Sequence, residues 1–172
     1  MKVPIAETLD DTVVVALGSN LPGGFASSQA LLDAALALFP QAGLPVLAHS
    51  RWWRSAAWPD STGPEYRNGV AIVEASGEPA QVLAALLSVE AKLGRVRAAR
   101  NAPRTLDLDL IAFGRQVLDQ PGLILPHPRA HERRFVMGPL AEIAPAWRHP
   151  VLGLTAADLA LAATVGVDAT GG

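Results

Sequence analysis

The 172-residue chain is half hydrophobic and has a formal net charge of −2, which predicts one globular domain and excludes an intrinsically disordered protein. It contains no cysteine, which excludes disulfides and thiolate chemistry, and its slight negative charge argues against a general nucleic-acid binder. No apolar run approaches the roughly 20 residues of a membrane span, and residues 1–11 lack a signal-peptide pattern, so we expect a cytoplasmic protein without a membrane partner.

Apolar runs and alternating patterns predict strands at residues 13–17, 46–53, 66–73, 105–113 and 123–125. Apolar residues at helical spacing predict helices at residues 25–39, 79–93, 131–140 and 155–164. Clusters of turn-forming residues predict two long loops, at residues 55–65 and 96–103. The core order β-α-β-β-α-β predicts an α+β, ferredoxin-like fold, in which helices pack on an antiparallel sheet.

We expect the core of this single domain to span about residues 12–163, and the small residues at 164–172 to form a flexible tail. The fold alone does not indicate a function, because ferredoxin-like domains include enzymes, RNA-binding domains and regulatory domains. Neither a P-loop nor a dinucleotide-binding glycine motif occurs in the chain, so two common nucleotide-binding architectures are excluded.

Two carboxylates and a group of arginines are close neighbours in the sequence. Asp107 and Asp109 alternate with leucines in a predicted strand, so they point to the face opposite the leucines, about 7 Å apart at the backbone. The arginines just before them are Arg95, Arg97, Arg100 and Arg104. Oxygen ligands suit Mg²⁺ that bridges substrate phosphates, and arginines stabilise phosphate charge. Two solvated acids on an edge strand are the simpler interpretation, but the adjacent arginines favour polyphosphate transfer.

Six short motifs carry a more specific signal. They are Gly18-Ser19-Asn20-Leu21, Tyr66-x-Asn68, Gly94-Arg95-Val96-Arg97, the stretch from Pro103 to Asp109, Leu125-Pro126-His127-Pro128 and Arg133-x-Phe135. In this order they resemble the 6-hydroxymethyl-7,8-dihydropterin pyrophosphokinase family of folate biosynthesis, over roughly residues 12–155. The resemblance implies transfer of a diphosphate group from ATP to the hydroxymethyl group of the pterin, with AMP as the second product.

The resemblance also implies residue roles. Arg95 and Arg104 would be catalytic and would stabilise the moving diphosphate, while Asp107 and Asp109 would hold two Mg²⁺ ions. The residues implied to bind ATP are Glu90, Arg97, His127 and Arg133. The residues implied to bind the pterin are Ser55, Ala56, Trp58, Tyr66, Asn68 and Phe135. In this assignment the rings of Tyr66 and Phe135 enclose the flat pterin, and an amide supplies both a donor and an acceptor to its edge.

Other interpretations remain open from the residues alone. Tyr66 and Phe135 also fit core positions, His127 fits a turn, and Trp58 fits the surface. Another Mg²⁺-dependent nucleotidyl or phosphoryl transferase would explain the acids and arginines but not the implied pterin residues. A non-enzymatic ferredoxin-like RNA-binding or ligand-binding module would explain only the strand order. We expect a monomer whose partners are the small molecules ATP and 6-hydroxymethyl-7,8-dihydropterin, and no nucleic acid.

Overall fold

The computed structural model describes residues 11–20, 24–56, 65–75, 77–93 and 106–171. The strands are β1 (Val13–Ser19), β2 (Val46–His49), β3 (Trp53–Ser55), β4 (Tyr66–Val73), β5 (Asp107–Phe113), β6 (Leu118–Gln120), β7 (Leu123–Leu125) and β8 (Thr170–Gly171). The helices are α1 (Ser28–Leu38), α2 (Pro79–Lys92), α3 (Arg134–Ile143) and α4 (Ala156–Ala162), and 3₁₀ turns lie at Pro40–Ala42 and Ala130–Glu132. Within these ranges, no helix is long and apolar enough to cross a bilayer.

The main sheet is antiparallel, with β1 and β4 in its interior. Its strand order is β5-β1-β4-β3-β8, and β2 also pairs with β4. The strands β6 and β7 form a separate hairpin. The predicted α+β fold, an antiparallel sheet with packed helices around a βαββαβ core, is confirmed by this arrangement.

Helices cover both faces of the sheet, so the molecule has three layers. On one face, α1 and α2 enclose a core that includes Val15, Leu32 and Leu86. On the other face, α3 and α4 enclose a second core, which includes Val14 and Met137. Strand β1 supplies alternate residues to both cores, and a strand buried on both faces needs an uninterrupted apolar sequence.

Side chains at the helix starts satisfy backbone donors that the helix leaves unpaired. Ser27 Oγ accepts a hydrogen bond from the Ala30 amide at 3.0 Å before α1. Before α2, the Glu78 amide donates to Gln81 Oε1 at 2.7 Å as part of a capping box. Such caps are typically worth about 1 kcal/mol each, and they explain why these helices begin where they do.

The strand predicted at residues 46–53 is divided into β2 and β3. Ser50 lies in the gap, where its Oγ accepts a hydrogen bond from the Val70 amide at 3.0 Å in place of a strand carbonyl. After the gap, Trp52 packs against the core beneath α1 and α2, whereas the Trp53 ring lies against Gly138 of α3. The two adjacent tryptophans therefore anchor this edge of the sheet on opposite faces.

The segment at residues 164–171, expected to belong to a flexible tail, packs against the rest of the domain. The Arg134 amide donates to the Val165 carbonyl at 2.9 Å, and β8 pairs with β3 through Trp53 and Gly171. These contacts were not predicted from the sequence. The small side chains of these residues give no periodic signal, whereas backbone pairing does not depend on one.

Candidate active site

Side chains predicted to belong to the site lie on the two strands that flank β1, on the α3 face of the sheet. The strand register places Asp107 of β5 beside Gly18 of β1, and Gly18 beside Asn68 of β4. Asp109 lies beside Ala16, two residue pairs further along and on the same face. The leucines that alternate with these acids belong to the core on the opposite face, as the strand pattern predicts. The second core therefore gives way to polar groups at this end of the sheet.

A cavity of about 670 Å³ opens over these side chains. Its walls come from the sheet, from the start of α3 and from the segment that follows α4. The site residues predicted from the sequence that line it are Ser55, Ala56, Tyr66, Asn68, Asp107, Asp109, Arg133 and Phe135. All of the described residues that the resemblance assigns to the pterin or to metal therefore border one cavity.

Asn68 owes its position to the absence of a side chain at Gly18. A Cβ atom at Gly18 would lie only 2.7 Å from Asn68 Oδ1, so any larger residue would displace the amide. The Asn68 side chain is largely buried, and its Nδ2 donates to Ser55 Oγ across 3.5 Å, a long and weak hydrogen bond. Because an amide has two donor hydrogens and an acceptor oxygen, Asn68 is suited to hydrogen-bond a heterocycle in the cavity.

Two aromatic rings reach the cavity from different layers. Tyr66 comes from β4, where it is paired with Ser55, and Phe135 comes from the first turn of α3. The Arg133 guanidinium carbon lies 5.8 Å from the centroid of the Phe135 ring, within the range of a cation–π contact. The cavity thus combines flat apolar surfaces with charged groups.

A second, smaller cavity of about 270 Å³ adjoins the first, and Asp109 lines both. Its other walls are mostly apolar and include Leu83 and Leu123, together with His127. His127 Nδ1 accepts a hydrogen bond from the Arg129 amide at 3.2 Å, so the ring proton lies on Nε2. Burial lowers the pKa of His127; nearby Asp109 opposes this effect, and Arg133 and Arg129 add to it. His127 is therefore a neutral hydrogen-bond donor near neutral pH.

Glu90 is the described site residue that lines neither cavity. Its side chain is only 2% exposed, and Oε2 accepts a hydrogen bond from the Leu108 amide at 2.9 Å. This bond ties α2 to β5, so Glu90 fixes the strand that carries the two aspartates. The remaining predicted site residues, Trp58, Arg95, Arg97 and Arg104, lie outside the described residues.

Several cavity residues were not identified as site residues from the sequence. Arg129 and Glu132 come from the turn before α3, while Gly166 and Asp168 come from the last segment of the chain. The Asp168 carboxylate accepts a hydrogen bond from the Ala56 amide at 2.7 Å. Arg129 stands close to Arg133 and Arg134 in the sequence, but no sequence pattern distinguishes Gly166 or Asp168.

The donor set of Asp107 and Asp109 fits a magnesium ion that shares its coordination with a substrate. Both residues offer carboxylate oxygens to the same cavity, which are ligands that Mg²⁺ prefers. Among the described residues, no three His, Cys, Asp or Glu side chains form a group that could hold a metal ion. A cation here would therefore need phosphate oxygens and water to complete its octahedron.

Comparison with known proteins identifies the family of this fold and site. The family model described as 7,8-dihydro-6-hydroxymethylpterin-pyrophosphokinase matches residues 14–145. A 2-amino-4-hydroxy-6-hydroxymethyldihydropteridine pyrophosphokinase of Synechocystis sp. is 44% identical over 142 residues, which cover 83% of this chain and 71% of the relative. The protein of the same name from Pseudomonas aeruginosa is 44% identical over 138 residues, covering 80% of this chain and 83% of the relative.

A solved structure shows the same fold at low sequence identity. The wild-type HPPK-DHPS protein of Plasmodium falciparum superimposes with a TM-score of 0.68 at 12% identity, over 90% of this chain and 46% of that longer chain. The structure shows an α+β fold, and the family match defines the chain as a diphosphate-transferring enzyme. The chain belongs to the 7,8-dihydro-6-hydroxymethylpterin-pyrophosphokinase family and transfers a diphosphate group from ATP to hydroxymethyldihydropterin.

Proposed function

We propose that the two adjoining cavities are the substrate sites of this reaction, with the pterin in the larger cavity and the adenine base of ATP in the smaller one. The observation that carries the proposal is the position of Asp109, which lines both cavities. A polyphosphate that extends from the smaller cavity to the larger one has to pass this carboxylate. The reacting pterin hydroxyl and the β-phosphorus would then meet at the boundary.

The pterin assignment rests on the shape and chemistry of the larger cavity. Tyr66 and Phe135 offer rings from two different layers, and stacking of this kind adds about 0.5–1.5 kcal/mol beyond simple area burial. Asn68 supplies an amide at the cavity floor, and Ser55 and the Ala56 backbone border the same edge. These groups bind and orient the pterin, because a flat ring with donors and acceptors on its rim matches flat walls with a polar edge.

The ATP assignment rests on the apolar lining of the smaller cavity and on the cations near its boundary. Leu83 and Leu123 offer apolar contacts to a purine, and neutral His127 offers an N–H group. Arg133 borders the larger cavity, where a diphosphate in transit would reach it. We assign the catalytic role to Arg95 and Arg104 from their sequence motif; arginines that stabilise a moving phosphoryl group are worth about 10³–10⁵ in rate.

Magnesium is the proposed cofactor, held as two ions by Asp107 and Asp109. The ions would neutralise charge on the phosphate oxygens of ATP. The two side chains border the cavity from alternate positions of β5, so both can contribute oxygens to a ligand that lies along this strand. We further propose that the protein acts as a monomer, since residues of one chain line both cavities, and that it acts in the cytoplasm.

The test is an assay of AMP production from ATP and 6-hydroxymethyl-7,8-dihydropterin, with Mg²⁺ titrated from zero. Phe135→Ala is expected to raise the KM for the pterin about two- to tenfold and to leave the KM for ATP unchanged, because one stacking surface is lost. Phe25→Ala is the matched control, since Phe25 is a half-buried ring packed on the opposite core. Equal effects of the two variants on the pterin KM would contradict the assignment of the larger cavity.

A further inference from the structure

The segment formed by residues 164–171 lies beyond the part of the chain that the family model matches, which ends at residue 145. It nevertheless borders the larger cavity through Thr164, Val165, Gly166, Val167 and Asp168. Its start is fixed by backbone hydrogen bonds, in which the amides of Thr164 and Val165 donate to the Glu132 carbonyl at 3.1 and 2.9 Å. Its end is fixed by pairing of β8 with β3. The segment is thus held on both sides of the cavity mouth.

Two contacts connect this segment to groups assigned to pterin binding. Gly166 has a φ angle of +69°, and a Cβ atom there would lie 2.6 Å from Cδ1 of Phe135, so the ring rests directly against the glycine backbone. Asp168 Oδ2 accepts a hydrogen bond from the Ala56 amide at 2.7 Å, where β3 ends and the chain leaves the sheet. The contact of Gly166 supports the Phe135 ring, and the hydrogen bond of Asp168 fixes the backbone of Ala56 at the edge of the cavity.

We propose that residues 164–171 form a wall of the pterin site, and that Gly166 and Asp168 are positioning residues for pterin binding. The proposal rests on the proposed function of the larger cavity. Gly166 sets the distance of the Phe135 ring from the sheet, and Asp168 holds Ala56 beside Ser55 and Asn68. A flat heterocycle between two walls tolerates little change in their separation, because attraction between packed atoms falls steeply when a gap opens. The segment therefore determines the affinity for the pterin rather than for ATP.

The first experiment compares two glycines with nearly the same backbone conformation. Gly153 has a φ angle of +71° but no atom within 4 Å of its would-be Cβ, whereas the Cβ of an alanine at position 166 would meet Phe135. Gly166→Ala and Gly153→Ala should therefore share the cost of a left-handed alanine. Only Gly166→Ala should raise the pterin KM, by about two- to tenfold, the equivalent of one aromatic stacking contact. The KM for ATP should stay unchanged in both variants.

The second experiment separates the hydrogen bond of Asp168 from its charge. Asp168→Ala should weaken pterin binding, measured by titration in the presence of a non-hydrolysable ATP analogue and Mg²⁺, by about two- to tenfold. Asp168→Asn keeps a carbonyl oxygen that can accept from the Ala56 amide, so it should restore most of the affinity. Asp119→Ala, at an exposed position in β6, is the matched control and should bind normally.

The outcomes distinguish this inference from the proposed function on which it rests. If Phe135→Ala raises the pterin KM while Gly166→Ala and Asp168→Ala do not, the cavity assignment stands and the wall proposal is refuted. If Phe135→Ala has no effect on the pterin KM, the cavity assignment itself fails. A fall in Tm without any selective change in pterin affinity would reduce Gly166 and Asp168 to ordinary structural residues and would also refute the proposal.

Discussion

The two faces of the sheet share the same strands but differ in what lies at the end that carries the candidate site. On the face covered by α1 and α2, buried apolar side chains such as Leu17 and Leu108 continue the core towards the end of the sheet that carries the site. On the face covered by α3 and α4, the core ends near Ala16 and Val70, and a cavity with charged and amide groups follows. The face covered by α1 and α2 (the closed face) therefore continues as hydrophobic core up to the smaller cavity, and the face covered by α3 and α4 (the open face) ends in the larger cavity.

This division is visible within single strands. In β5, leucines and aspartates alternate, so Leu108 and Leu110 belong to the core of the closed face and border only the smaller cavity, whereas Asp107 and Asp109 border the larger cavity of the open face. A substitution in the closed-face core away from the smaller cavity should therefore lower stability and spare catalysis, and a substitution at the larger cavity should lower catalysis and spare stability. The predictions that follow test this separation.

The largest expected effect is on turnover, from substitutions on the open face. Asp107→Ala and Asp109→Ala should each lower kcat by about 100-fold or more, because a group that balances phosphate charge is lost from the reaction. The variants should remain folded, since neither side chain belongs to a hydrophobic core. The AMP assay and thermal unfolding measure the two effects, and Asp119→Ala is the matched control. Near-normal activity at low Mg²⁺ in either variant would contradict the metal assignment.

The converse prediction concerns the closed face. Leu86→Ala should lower the free energy of unfolding by about 2–5 kcal/mol, because Leu86 is a fully buried residue of α2 and the loss of its side chain leaves a cavity. The kcat and both KM values should not change at temperatures where the variant is folded. Chemical denaturation measures the loss. Leu161→Ala is the control, since the Leu161 side chain is 82% exposed, and it should change stability little. A selective rise in the pterin KM of Leu86→Ala would show that the two faces are coupled.

A smaller effect on pterin binding is expected from a substitution at Gly18, which lies on the open face. Gly18→Ala places a Cβ 2.7 Å from Asn68 Oδ1, so the amide has to move. The pterin KM should rise about two- to tenfold, the equivalent of one hydrogen bond, while the KM for ATP stays the same. Gly24→Ala is the control, because its Cβ would meet no atom within 4 Å. If the two variants gave the same kinetic constants, the proposal that Asn68 hydrogen-bonds the edge of the pterin would be contradicted.

The smallest expected effect is on the pH dependence of stability, through His149. His149 Nδ1 accepts from the amides of Val151 and Leu152 at 3.2 and 3.0 Å, and burial, followed by the charge of nearby His131, lowers the pKa of His149 below its usual 6.5. The unfolded chain therefore binds a proton at His149 more readily than the folded chain does. The stability that the neutral His149 ring contributes is present above pH 6.5 and is lost as the pH falls towards the folded-state pKa.

The corresponding test is the change in Tm between about pH 7.5 and about pH 5.5, on either side of the ordinary histidine pKa. His149→Asn keeps an acceptor near the two amides but does not titrate, so its Tm should fall less on acidification than that of the unaltered protein. His49→Asn, at an exposed position in β2, is the control variant. Equal slopes for all three proteins would show that His149 does not contribute to acid sensitivity.

The parts of the fold that follow a periodic pattern were predictable from the sequence. Apolar spacing located α1 and α2, and the alternation in β5 assigned its leucines and aspartates to opposite faces. The division between β2 and β3 was missed because it depends on a hydrogen bond from Val70 to Ser50, 20 residues earlier. The strand β8 was missed because Thr170 and Gly171 are strand residues only through pairing with β3.

The site shows the same limit. Motifs led to Tyr66, Asn68 and Phe135, since their spacing within short segments is a local property of the chain. No motif includes Gly166 or Asp168, because these residues reach the cavity only when the last segment of the chain packs against the start of α3 and the end of β3. Local motifs therefore led to cavity residues within short segments, but not to those that the fold brings to the cavity from the last segment of the chain.

The pairing of β8 with β3 has a further consequence for how the molecule behaves in concentrated solution. Without β8, the outer edge of β3 would present backbone N–H and C=O groups to any extended segment of a neighbouring molecule. Unpaired edges of this kind are templates for strand addition and fibre growth. By pairing with β3, β8 protects this edge from strand addition by neighbouring molecules. Chains that are cleaved after residue 163 should therefore self-associate more readily than intact chains.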